Sequence, residues 1–378
     1  MTWCLPRTLP PVPQASYDTR HFALGASRMP LSACRTYLPP EWAPQSGVML
    51  TWPHSQSDWA PILHKVEPVF TAIAVSIARF ETVLIACHDE AVRARVDAQL
   101  RSAGIPKERM HLLVAPANDT WARDHGPITV LCRNSPTLLN FGFNGWGGKY
   151  AHDLDNLITR RLYSMGAFGD APLETVDLIL EGGSIEVDGQ GTLLTTTSCL
   201  LAPTRNPGLT RAQLESKLAE LLGITRFLWL ESGYLAGDDT DSHIDTLARL
   251  CDANTIAYVA CDDPTDEHSV ALQAMEKELQ AFRTAAGQPY RLVALPWPRA
   301  RFDDEGARMP ATYANFLIIN GAVLVPTYDD PADRVALERL RDCFPGREVI
   351  GINCLPLIYQ HGSLHCVTMQ IPAGVLPA

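Results

Sequence analysis

Ala311-Thr312-Tyr313-Ala314-Asn315-Phe316-Leu317-Ile318-Ile319-Asn320-Gly321-Ala322-Val323-Leu324-Val325-Pro326 reads as two apolar strands folded back on one another. Asn-Gly is the strongest short hairpin signal, because both residues tolerate the positive φ of a two-residue turn. Working outward, Asp330 and Pro331 mark a helix start, with the helix running to about Cys343. Val349-Ile350-Gly351-Ile352 is then a short strand. The unit is strand, tight turn, strand, helix, strand. Upstream, residues 178–195 alternate strand and turn, Thr210 with Gln213 forms a capping box for a helix ending at Gly223, and Phe227 opens another strand. This order recurs about every 60–80 residues, as in an array that is closed or stacked. A doubly wound parallel sheet is the alternative, but tight turns between strands demand antiparallel neighbours.

Other elements fit the pattern. Residues 47–52 and 82–87 read as strands, and residues 58–80 and 89–103 as amphipathic helices, with Pro68 either splitting the first or marking its first turn. Residues 153–165 and 264–286 read as further helices. Residues 1–37 lack periodicity and read as a flexible extension, with Met29 an alternative start; residues 38–378 read as one domain. The first 28 residues are proline-rich and do not resemble a secretory signal. No apolar run reaches the roughly 18 residues that a membrane span requires.

The chain has 378 residues, 46% hydrophobic and 19% charged, enough apolar content for a substantial core. A net charge of −11 disfavours nucleic acid and anionic membranes as partners and is compatible with a cationic substrate. The ten cysteines are scattered, without CxxC pairs or zinc-finger spacing, and the histidines form no HExxH. A reduced cytoplasmic protein without metal or cofactor is the simplest reading.

Cys366 stands out within Gln360-His361-Gly362-Ser363-Leu364-His365-Cys366-Val367-Thr368-Met369-Gln370, a Gly-containing turn running into a β-branched strand. Most free cysteines are small buried hydrophobes, so the thiol alone proves little. His243 and Asp245, one residue apart in what reads as a strand, share a face. They either satisfy one another or serve a site. Asp124 follows Trp121 and Arg123 in a polar loop, where a surface ion pair is the plain alternative. Glu181 precedes Gly182-Gly183, where backbone can approach a ligand closely, though a solvated turn carboxylate would look the same. The run Asn140 to Tyr150 is aromatic and glycine-rich but lacks a phosphate-loop pattern, and reads as a loop near a site or an irregular connection. Together, Cys and His point to covalent catalysis with a general acid/base. Three carboxylates without metal-ligand spacing point to a bound cation, and the guanidinium fork matches carboxylates two at a time.

The segments PPEWAPQ, NDTWARDHGP, FGFNGWGGKY, LEGGSIEVDGQGTLLT, GDDTDSHIDTLAR, PATYANFLIINGAVLVP and HGSLHCVTMQ, in that order, resemble the agmatine deiminase family of guanidine-modifying enzymes. The resemblance spans about residues 39–370. One departure is His361-Gly362-Ser363-Leu364-His365-Cys366, where many members carry Gly-Gly-Gly-Asn-Ile-His-Cys; Gly362 and Cys366 survive, which suggests a subgroup. The resemblance implies an α/β fold, a five-bladed pseudo-fivefold propeller. It implies a small cationic guanidine substrate, agmatine, and a place in putrescine and polyamine synthesis, with a homo-oligomer left open. It assigns Asp124 and Asp245 to clamp the guanidinium, Glu181 to fix His243 or add to the clamp, Cys366 to attack carbon, and His243 to protonate ammonia and activate water. Trp121 would wall the alkyl chain, Asp239 or Asp241 would receive the amine, and Gly362 would help form the pocket floor. A deiminase of free or peptidyl arginine would need a cation for the carboxylate, with Arg123 and Lys149 the nearest in these segments. A cysteine protease has no use for three carboxylates around a cation, and a non-catalytic propeller binding protein would have no need of Cys366, His243 and Glu181.

Overall fold

The hairpin at Asn320-Gly321 forms as its sequence requires: Leu317–Ile319 runs antiparallel to Ala322–Thr327, Ile319 faces Ala322, and Gly321 has φ 77°. Asp330 accepts from the amide of Ala332, the helix Ala332–Cys343 follows, and Glu348–Asn353 returns parallel to the hairpin's second strand. A computed structural model of the protein describes residues 36–377. Among these residues the same unit recurs in five sheets of three or four strands. In each, an antiparallel pair is extended by a parallel strand. The parallel additions need crossovers, which the helices supply. The architecture is α/β and is not one doubly wound sheet.

The strand Thr368–Pro372 pairs with Gln45–Thr51 across almost the whole sequence, completing the sheet that also holds Thr82–Cys87 and Met110–Val114. Thr36 and Tyr37, expected in the extension, instead pair with Cys132 and Leu131. The rest of the expected extension lies outside the described residues.

Leu63–Ala78 is one α-helix despite Pro68, which removes a single amide donor near its first turns. With the preceding turn, residues 60–78 average a hydropathy of 1.3, so this element is apolar and long enough to cross a membrane by composition, contrary to the sequence expectation. Its apolar stripe, Val66, Phe70, Ile73 and Ile77, is instead buried against the sheets. Residues 264–286 hold a shorter helix than expected, Ser269–Ala281. Residues 153–165 hold a short 3-10 turn and the helix Ile158–Ser164. The capping box Thr210–Gln213 is present, and Gly223 ends that helix in the left-handed conformation. Seven described cysteines, Cys366 among them, are free thiols.

Candidate active site

The elements that carry the site are short irregular segments at sheet edges. Asp124 lies in the four-residue helix Ala122–His125, Glu181 precedes the 3-10 turn Gly182–Ser184, and Cys366 comes two residues before Thr368–Pro372. His243 and Asp245 do not occupy a strand: His243 caps the 3-10 turn Ile244–Thr246, and the strand begins only at Ala248. Strand alternation therefore does not explain their common side; the tight turn does. His243, Asp245 and Glu181 are wholly buried, and Asp124 and Cys366 nearly so.

Gly183 marks where they converge. A Cβ there would lie 2.6 Å from His243 Nδ1, 2.9 Å from Asp124 Oδ1 and 3.1 Å from Asp245 Oδ2. The amide of Gly183 donates to Asp124 Oδ1 at 3.0 Å, and the Trp146 indole donates to Asp124 Oδ2 at 2.9 Å. His243 Nδ1 lies 3.6 Å from Asp124 Oδ1. Cys366 Sγ lies 3.4 Å from Asn315 Oδ1 and 3.9 Å from Asp245 Oδ2. Asn315 Oδ1 also accepts from the amides of His365 and Cys366, so it fixes the thiol's backbone.

Several polar atoms here have no partner: Glu181 Oε2, Asp245 Oδ1 and both ring nitrogens of His243. Burying such atoms unpaired costs about 1–3 kcal/mol each. A cation with several N–H donors would satisfy the two carboxylate oxygens and the bare ring nitrogen.

Electrostatics agree. Burial raises Asp124 well above the ordinary carboxylate range, and the charges of Asp245 and Glu181 add to this. Burial raises Glu181 too, against the opposing pull of Arg205. Burial would also raise Asp245, but its hydrogen bond to His365 and the His365 charge bring it below the usual range. Burial holds His243 down to about 3, so the ring is neutral at pH 7. Burial, with Asp245 and Asp124, pushes the Cys366 thiol well up. The empty site thus pairs a thiol with a neutral imidazole, and a bound cation is what relieves the crowded carboxylates.

A cleft reaches Cys366 and is lined also by Asp58, Asp119, Trp121, Asp124, Trp146, Tyr150, Asp239, Thr240, Gln360, His361 and Gly362. Trp121 donates its indole N–H to Asp119 Oδ2 at 2.8 Å. Gly362 makes room for that ring, since a Cβ would meet Trp121 Cζ3 at 2.1 Å. Asp239 lines the cleft and accepts from Tyr150 Oη at 2.6 Å. Asp241 does not line it: its two oxygens take Lys149 and Arg205. Lys149 and Arg123, the cations nearest in sequence, are also engaged elsewhere, Lys149 with Asp241 and the Asp239 carbonyl, Arg123 with Gln370 and the His365 carbonyl. Among the described residues, no Lys or Arg lines the cleft.

Sequence reasoning missed Asn315, Arg205 and Trp146 as individuals. Asn315 had a signal, an amide among apolar residues in a hairpin strand. Arg205 had none: it is buried and donates from Nε to Glu181 Oε1 at 3.0 Å. The buried set Glu181, Cys199 and His243 brings three ligand atoms within 4.8 Å of one another. Arg205 already neutralises Glu181, and burial pushes the Cys199 thiol up, so the set fits a metal cation poorly.

The profile of the Porphyromonas-type peptidyl-arginine deiminases matches residues 37–372. Agmatine deiminase of Pseudomonas syringae pv. tomato is 34% identical over 89% of this chain and 95% of its own length. A solved Porphyromonas gingivalis chain, named as a candidate arginine deiminase, is 52% identical with TM-score 0.84, covering 90% of this chain and all of that one (100%). Solved C. jejuni agmatine deiminase with substrate bound is 37% identical with TM-score 0.82, covering 89% and 96%. With matches of this extent, the chain belongs to the agmatine deiminase family of guanidine-modifying hydrolases, within reach of the Porphyromonas-type peptidyl-arginine deiminase profile.

Proposed function

We propose that the chain converts agmatine and water to N-carbamoylputrescine and ammonia. The carrying observation is the buried cluster of unpartnered acceptors, Glu181 Oε2 and Asp245 Oδ1, beside a thiol and a neutral imidazole. Asp124 and Asp245 orient the guanidinium, and orientation of this kind is worth roughly 7–11 kcal/mol. Cys366 Sγ bonds to the guanidinium carbon while neutral His243 takes the thiol proton. The C–N bond breaks, and ammonia leaves with that proton, giving a covalent thiouronium. His243 then takes a proton from water as its oxygen bonds to the same carbon; the C–S bond breaks, His243 returns that proton to the sulfur, and the remaining hydroxyl proton is lost to solvent as the carbonyl forms. Trp121 walls the aliphatic chain, and Asp239 receives the terminal ammonium.

We also read the five sheets as blades of a ring, closed where Thr368–Pro372 joins Gln45–Thr51, and place the enzyme in the cytoplasm, in putrescine synthesis. A second reading, deimination of free or peptidyl arginine, is favoured by the family profile and by the name of the P. gingivalis chain. The cleft argues for agmatine, because it offers carboxylates and no free Lys or Arg for a substrate carboxylate. Ammonia release from agmatine, arginine and a blocked arginine peptide tests both, with wild type and Cys366→Ala. Turnover of agmatine that vanishes in the variant is expected. Turnover of arginine without agmatine overturns the substrate, and activity surviving in Cys366→Ala overturns the mechanism.

A further inference from the structure

Beside the thiol, one buried histidine touches two carboxylates. His365 Nδ1 lies 2.7 Å from Asp245 Oδ2, and His365 Nε2 lies 2.7 Å from Glu41 Oε2. An ionised carboxylate oxygen only accepts, so each ring nitrogen must carry a hydrogen when both acids are charged. Burial would raise Glu41, but Arg249 and Arg123 favour its charged form independently of the ring.

The surroundings fit the same count. Arg249 donates to Glu41 at 2.9 Å and forms an ion pair with Glu186, while Arg123 Nη2 lies 3.6 Å from Glu41. Glu41 and Asp245 thus each place an oxygen on the His365 ring, while Glu186, which burial raises, is held by Arg249. A neutral ring would leave a bare nitrogen facing a carboxylate oxygen and an excess negative charge in the interior, both costly. His365, Glu41, Arg123, Glu186 and Gln45 also line a second pocket, whereas Cys366 and Asp124 line the cleft.

We propose that His365 is a positioning residue: as an imidazolium bridging Glu41 and Asp245, it keeps Asp245 ionised and turned so that Oδ1 stays free for the guanidinium. The role rests on the guanidine-hydrolase reading; the protonation state does not.

Histidine-¹⁵N NMR of the full chain, with the His365 ring assigned by its loss in His365→Asn, is expected to show both nitrogens protonated at pH 7.5. One bare nitrogen overturns the proposal, whatever the substrate. In kinetics, His365→Asn lowers kcat/KM about 100-fold when normalised to titrated active thiol. Glu41→Gln moves the alkaline limb of the kcat/KM profile down by about one pH unit, since one stabilising carboxylate is lost. A purely structural role would lower the amount of active enzyme and leave that limb in place, and an unmoved limb overturns the proposal. Wild type that releases ammonia from no guanidine substrate overturns the positioning role and leaves the NMR result to decide the charge state.

Discussion

Arg205 donates from Nε to Glu181 Oε1, and Glu181 Oε2 remains buried without a partner. The pair is almost wholly inaccessible, so it is an internal ion pair with one acceptor held in reserve. Removing one partner of such a pair strands a charge and typically costs about 3–5 kcal/mol. Arg205→Met is therefore expected to lower the urea unfolding free energy by about that amount, and a change below about 1 kcal/mol would show that Glu181 is neutral in the folded state.

Gly183→Ala tests the point of convergence. The added methyl meets His243, Asp124 and Asp245 at 3.1 Å or less. Displacing them by about 1 Å is expected to cost at least about 100-fold in kcat/KM. Circular dichroism and the elution volume should stay those of wild type, because the clash is with side-chain ends. Near-normal activity would mean the three groups act independently of their present spacing.

Cys366 is a thiol in the free enzyme, and His243 is too depressed to pair with it as an imidazolium. Iodoacetamide should therefore alkylate Cys366 slowly at pH 7 and faster as pH rises, as peptide mass mapping would reveal. A small guanidinium analogue that leaves the thiol accessible should accelerate the reaction at pH 7. Equal rates with and without the analogue would remove the substrate cation from thiol activation.

Glu81 offers a stability prediction away from the site. Burial, with a smaller push from Glu41, raises its carboxyl from 4.5 to about 7, although Oε2 accepts from the amide of Asn320. The folded state holds this proton to higher pH than the unfolded state does. Its contribution is full below pH 4.5, is lost as pH rises to about 7, and is flat beyond. Glu81→Gln keeps an acceptor for Asn320 and should remove that slope, gaining up to about 3 kcal/mol over wild type at pH 8. Parallel stability–pH curves for the two proteins would show that Glu81 titrates normally.

The sequence carried what is local. The Asn320-Gly321 turn, the Thr210–Gln213 box and the helix up to Cys343 each follow from a few adjacent residues, and each formed. The recurring order of elements announced antiparallel strand pairs, each followed by a helix and a further strand. The five residues assigned to chemistry do converge on one site, but spacing misread how: His243 and Asp245 come together through a 3-10 turn. Partners far apart in the chain were beyond reach. Glu41 and His365 are 324 residues apart, and no periodicity connects them. Asp241 is offered by the resemblance as a receiver of the substrate amine, yet Lys149 and Arg205 claim it. Its neighbour Asp239 lines the cleft.

Cys366 comes two residues before the strand that pairs with Gln45–Thr51. During synthesis, the acids and histidine of the site emerge from the ribosome long before the nucleophile. Until residue 372 has emerged, the first sheet lacks its edge partner and the site lacks its sulfur. Contacts this distant in sequence close late and slowly. The nascent chain thus lacks its nucleophile until this last strand emerges and pairs.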